Sequence, residues 1–123
     1  MSQIIQSFTT WLSAIAPCQR GFLYLDQINE FPTITYTVSE RALSHIGADT
    51  RYNILSISLR AYVRGEDPQA LCDNLIQSLD ERISLFEAYD LGVQDARVIE
   101  TSSDEGLMAP YGVVDMKLQI LYL

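Results

Sequence analysis

The sequence predicts an α+β fold: two amphipathic helices packed on one face of a mostly antiparallel β-sheet, a two-layer arrangement in the order α-β-β-β-α-β-β with one long projecting hairpin. Three observations predict it. Apolar residues recur at helical spacing in two segments, and they alternate with period two in the strand candidates. A polar stretch also separates two of the alternating runs, as the distal end of a hairpin would. The 123 residues contain no linker, internal repeat or low-complexity tract, so a single domain over 1–123 is expected.

Ile4, Ile5, Phe8, Trp11, Leu12 and Ile15 form one stripe of a first helix, with Ser2 as its N-cap and Pro17 as its stop. Its other face is Ser, Thr and Gln, without the Lys or Arg of a membrane-surface helix, so the stripe is assigned to the core. Gly21 to Gln27, with Phe22-Leu23-Tyr24-Leu25, reads as a short strand or extended connection. From Pro32 the period changes to two: Ile34, Tyr36 and Val38 alternate with Thr33, Thr35 and Thr37. A polar stretch from Ser39 to Arg51 follows. Tyr52 to Arg64 then alternates again, with Leu55, Ile57, Leu59, Ala61 and Val63 on one face and Ser56, Ser58, Arg60 and Tyr62 on the other. This strand is long for one small core, and its polar distal end is expected to project.

Asp67-Pro68 is a helix start, with Asp67 as N-cap and Pro68 at the first helical position. Leu71, Cys72, Leu75, Ile76, Leu79, Ile83 and Phe86 make the buried stripe, while Asp73, Gln77, Asp80, Glu81 and Ser84 face out. A closing hairpin has Val98 to Thr101 as one arm and Ser102 to Gly106 as the start of its connection. Val114, Met116, Leu118, Ile120 and Tyr122 form the inward face of the returning strand, and Asp115, Lys117 and Gln119 face away.

Eight basic residues, with Lys117 the only lysine, stand against sixteen acidic ones, for a net charge of −8. Phosphate neutralisation requires clustered Lys and Arg, so nucleic-acid binding is excluded as the main activity. No apolar run reaches the 18 or so residues of a membrane span, and Met1 to Gln6 lacks the charged start of a secretory leader. Cys18 and Cys72 match neither a disulfide framework nor a metal-ligand spacing, and are expected as free thiols in a reducing compartment.

No catalytic set emerges. His45 is the sole histidine, and its neighbour Ser44 does not make a triad without a third group orienting the base. The pairs Glu66/Asp67, Asp80/Glu81 and Asp104/Glu105 lie at a cap, on a helix surface and in a turn, where solvated charge is the default. Ser103-Asp104-Glu105-Gly106 lacks the spacing of a calcium loop, and the glycines are single punctuation without a phosphate-cradling pattern. No enzyme, cofactor or metal is expected. What remains is an interaction protein, with Tyr36, Tyr52, Arg60 and Tyr62 as outward candidates for an interface between copies, because Tyr and Arg bury area while keeping a polar tip satisfied.

The order of elements, with Phe31-Pro32-Thr33-Ile34-Thr35-Tyr36, then Asp49-Thr50-Arg51-Tyr52 entering Asn53 to Leu59, then Arg64-Gly65-Glu66-Asp67-Pro68 opening a helix at Ala70 to Leu75, resembles the tail terminator proteins of long-tailed bacteriophages, the group of the lambda-like minor tail protein U. The resemblance covers nearly the whole chain. It implies a virion protein, assembled in the host cytoplasm, that forms a hexameric ring on the tail tube. That ring would halt polymerisation of the tube protein and offer a surface to the head-completion or connector protein. DNA would pass through the lumen without specific binding, and part of the acidic charge, Asp80, Glu81 and Asp104 among it, would line that passage and repel phosphate. Two alternatives stay open: another head–tail connector or tail-tube-like component, and a small metabolite-binding regulatory α+β domain.

Overall fold

The computed structural model describes residues 2–46 and 50–122, with side chains at all of these except 2, 40, 43–46 and 50–52. The elements are α1 (Ser2–Leu12), β1 (Cys18–Arg20), a 3-10 turn (Leu25–Gln27), β2 (Thr33–Ile46), β3 (Thr50–Arg64), α2 (Pro68–Ser84), α3 (Phe86–Tyr89), β4 (Val93–Ser103) and β5 (Tyr111–Tyr122). They build a five-stranded sheet of order β1-β2-β3-β5-β4. All neighbours are antiparallel except β1 and β2. The α+β, two-layer reading stands.

The helices cover one face of the sheet. Ile5, Phe8 and Leu12 of α1 and Cys72, Leu79 and Ile83 of α2 meet Leu55, Ile57, Leu59 and Ala61 of β3 and Val114, Met116, Leu118 and Ile120 of β5 in one apolar cluster. Phe8 sits at its centre, edge-on to Tyr36 at 5.2 Å and to Phe86 at 5.6 Å between ring centroids. Asp67 caps α2 as expected, accepting a hydrogen bond from the Ala70 N–H at 3.2 Å. A clasp joins α1 to α2. Trp11 Nε1–H donates to the Arg82 carbonyl at 2.6 Å, Arg82 Nε–H donates to the Trp11 carbonyl at 3.0 Å, and the guanidinium lies 3.3 Å from the centre of the indole ring.

Several expectations need correction. The first strand is Cys18–Arg20, parallel to β2, and of the two readings of the Gly21 to Gln27 segment it is the connection, not the strand, that the structure shows. Gly21, at φ 101°, turns the chain out of the sheet plane, a conformation favoured by glycine. Leu23, Leu25, Ile28 and Phe31 then pack with Tyr62 and Val113 as a small second cluster on the face away from the helices. The first helix ends at Leu12 instead of Ile15, because its last turn tightens into an Ile15 N–H to Leu12 carbonyl bond before Pro17. Leu71, assigned to the buried stripe, lies at its margin and is 37% exposed. Gly112 is not punctuation: a Cβ there would stand 2.6 Å from Cys72 Sγ and 3.2 Å from the Pro68 carbonyl, so its bareness lets α2 approach β5.

The polar stretch after Val38 is strand as well. β2 runs on to Ile46, but a bulge between Val38 and Glu40 resets its alternation, which hides the strand from a period-two reading. Bulges at Val93/Asp95 and Val98/Glu100 likewise concealed the first half of β4. β3 pairs with β5 only from Asn53 onward, whereas Ser44↔Tyr52, His45↔Arg51 and Ile46↔Thr50 are held by β2–β3 pairing alone. The hairpin therefore projects past its neighbouring strands.

Candidate functional site: the open face of the sheet

Because side chains alternate along a strand, the residues between the core positions of β3 and β5 all point away from the helices. The open face therefore carries Ser56, Ser58 and Arg60 beside Gln119, Lys117 and Asp115. Arg60 and Asp115 are register partners. Arg60 Nε–H donates to Asp115 Oδ1 at 2.7 Å and its Nη2 approaches Oδ2 at 3.4 Å, both side chains being somewhat under half exposed. The hydrogen bond from this carboxylate holds the Arg60 guanidinium above its ordinary pKa. Phe22, brought over by the turn at Gly21, places its ring 5.6 Å from the guanidinium carbon. One position along, Lys117 faces Glu100 at 3.7 Å, and Arg97 pairs with Asp95 within β4.

The result is a charge-balanced, polar surface. A hollow in it is lined by Phe22, Ser58, Arg60, Glu100, Ser102, Asp115 and Lys117. Exposed apolar side chains lie close by: Phe22 in its lining, Ile99 in a neighbouring hollow beside Ser58 and Lys117, and Tyr24 and Met108 in another that shares Arg60 and Asp115. Solvent-facing pairs of opposite charge with an apolar rim suit docking of a protein surface.

The four sequence candidates fare differently. Tyr36 is a correction: it lies on the helix side and is fully buried. Its hydroxyl shares a hydrogen bond with Thr9 Oγ1 at 2.6 Å, and burial pushes its pKa up. It shares the face of Ile34 and is paired with Leu59, so the alternation that made Ile34 internal makes Tyr36 internal too. Tyr62 does point to the open face but is only 5% exposed, covered by the second cluster, with its hydroxyl donating to the Leu23 carbonyl at 2.9 Å. Arg60 is outward and accessible. Tyr52 belongs to the projecting strand pair, and its side chain, like that of His45, lies outside the described residues. Sequence reasoning missed Asp115, Glu100 and Phe22 as partners. Asp115 and Lys117 were assigned outward correctly, but only strand register reveals which opposite charge each one meets.

The charge on the helix side is of another kind. Between Glu66 and Asp90 the acidic residues are Glu66, Asp67, Asp73, Asp80, Glu81, Glu87 and Asp90, against Arg82 alone, which is held by Trp11. Asp80 and Glu81 are exposed there. Asp104 is instead a turn clamp, its carboxylate accepting the N–H groups of Met108 and Val113, each at 3.1 Å.

Neither thiol is placed as a nucleophile. Cys72 is buried and its pKa is raised by desolvation, and desolvation pushes the half-buried Cys18 up to about 12. Among the described residues no three His, Cys, Asp or Glu side chains form a metal cluster, and no helix is long and apolar enough to cross a membrane.

Comparison with known proteins completes the picture. The family described as Bacteriophage Tail Tube Terminator Protein matches residues 3–123. The curated proteins yielded no match to this chain.

Proposed function

The chain belongs to the bacteriophage tail tube terminator protein family, and from that premise we propose that copies of it form a ring, hexameric in our reading, that caps the tail tube, stops its polymerisation and presents the surface on which the head-completion protein docks. The chain is a structural tail component by family, and the virion is its place of work. The observation that carries the reading is the match over residues 3–123, supported by a projecting β2–β3 strand pair that its own core does not need.

Arg60 on the open face and Tyr52 on the projecting pair are the contact residues of this assembly. Tyr36 and Tyr62 act beneath the surface, as supports of the two faces. The exposed acidic surface of α2, with Asp80 and Glu81, is assigned to the DNA passage, where like charge keeps phosphate from adhering. Asp104, clamped in its turn, is dropped from that assignment. Assembly precedes the virion, in the host cytoplasm.

The test is negative-stain microscopy of tube protein polymerised with and without this chain. Tubes of limited length, each ending in a ring, are expected in its presence. Tubes that grow to the same length with and without it contradict the reading.

A further inference from the structure

Most of the cations are already engaged. Among the described side chains Arg60, Arg97 and Lys117 pair with carboxylates, Arg82 is held by Trp11, and the Arg64 guanidinium lies 5.4 Å from the Tyr111 ring centre. Arg20 and Arg41 are exposed, and among the described residues neither makes an ion pair or a ring contact. These two line one hollow of about 270 Å³ together with Val38 and Ser39.

Strand register builds this hollow. Arg20 stands beside Tyr36, and Val38 and Arg41 stand opposite Ile57 and Leu55, so Arg20, Val38 and Arg41 all belong to the helix side. The bulge after Val38 keeps Arg41 there, because an unbroken step of three residues would turn it to the open face. β1 ends at Arg20, so among the described residues no strand pairs with β2 on this side beyond Tyr36, and the hollow stays open. Local charge favours an anion as well. From Thr33 to Arg64 the basic residues are Arg41, Arg51, Arg60 and Arg64, against Glu40 and Asp49, in a chain of net charge −8. The acidic residues of α2 lie over β4 and β5, toward the other end of the strand order.

We propose that the hollow between Arg20 and Arg41 is a phosphate-binding site. The number of acceptor oxygens decides between anions. A carboxylate has two, which a single guanidinium fork fills, as Arg60 does with Asp115 through Nε and Nη2. Two forks on one hollow suit an anion with more oxygens, and a phosphate group has them. The Ser39 proton is committed to the Ser56 carbonyl at 3.1 Å, which leaves the two arginines as the donors. The group has two sources, a backbone phosphate of the DNA that our reading passes through the ring, and free phosphate. Two arginines per copy neutralise few phosphates, so this is a local contact and not a nucleic-acid-binding activity in its own right.

The test titrates inorganic phosphate into the full-length chain at low salt and follows the arginine Nε–H signals by NMR. Saturable shifts at Arg20 and Arg41 are expected, with Arg97 unmoved. Binding should weaken about tenfold or more in Arg20→Gln/Arg41→Gln, and change less than about twofold in Arg64→Gln/Arg97→Gln, which removes the same charge elsewhere. No saturable shift up to tens of millimolar, or an equal loss in both variants, overturns the proposal. The shifts are read on wild type, so the test stands even where a variant does not fold. A short duplex DNA that moves the same two signals, less so at higher salt, names the DNA backbone as the source. A duplex that leaves them in place, while phosphate moves them, names free phosphate. A poly-glutamate peptide that moves them where phosphate does not assigns the hollow to an acidic protein surface and overturns the proposal. None of these outcomes bears on tube capping, which the microscopy above decides.

Discussion

The two faces of the sheet are made from the same strands, yet they are built for different tasks. On the helix side the central strand positions are apolar and closed over by the helices, with Phe8, Tyr36, Leu59, Met116 and Phe86 all at 2% exposure or less. On the open side the same strands present Ser58, Arg60, Asp115 and Lys117 to solvent, and their opposite charges are already paired. Burial of apolar area drives folding, whereas exposed ion pairs contribute little to stability and much to recognition. One face therefore holds the subunit together, and the other is the one our reading assigns to partners. Substitutions on the two faces should separate into those that unfold the chain and those that only disturb assembly.

The largest effect is expected at Phe8. Phe8→Ala removes a ring packed edge-on against both Tyr36 and Phe86, and should cost about 3–5 kcal/mol in urea unfolding. A loss below about 1 kcal/mol would show that α1 is not part of the cooperative core. Next comes Gly112→Ala, where the added methyl meets the α2 backbone and buried Cys72. A destabilisation of about 1–3 kcal/mol is expected, and a neutral variant would mean that α2 does not sit so close to β5.

A pH effect follows from the same helix-side burial. Desolvation raises Cys18 from 9.0 to about 12 and moves Tyr36 upward as well, so the folded chain holds these protons more tightly than the unfolded one. Their stabilising contribution is complete below pH 9 and is lost as pH climbs through about 12. Thermal midpoints of wild type and Cys18→Ser, measured from pH 8 upward, should diverge less as alkalinity increases. Parallel curves would contradict the assignment. The smallest stability effect is expected at Arg60→Ala, at most about 1 kcal/mol because the pair is solvent-screened. The same variant should nevertheless weaken ring or tube contact in sedimentation, and unchanged sedimentation would remove Arg60 from the interface.

Sequence legibility divides along the same line. The stripe of Ile5, Phe8 and Leu12, the alternation of β3 and β5, and the Asp67–Pro68 start of α2 are local signals, and each reappears in the structure. Less was legible where one residue out of step resets a pattern. The bulge after Val38 hid the second half of β2, and that at Val98/Glu100 the first half of β4. Tyr62 has the right register for the open face, but its cover comes from Leu23 and Ile28, far earlier in the chain. The Arg60–Asp115 pair joins residues 55 apart, and no spacing rule indicates which carboxylate a cross-strand arginine meets. Tyr36 was misplaced although its own strand's alternation put it with Ile34.

The most direct measurement of the division between faces is hydroxyl-radical footprinting of the free chain and of the chain seated on tail tubes. Phe22, Tyr24, Ile99 and Met108, exposed around the open face, should lose reactivity on assembly, while Leu85 and Leu91 on the helix side keep theirs. Protection of Leu85 and Leu91 with no change at Phe22, Tyr24, Ile99 and Met108 would contradict the account, because the helix side would then be the contact surface.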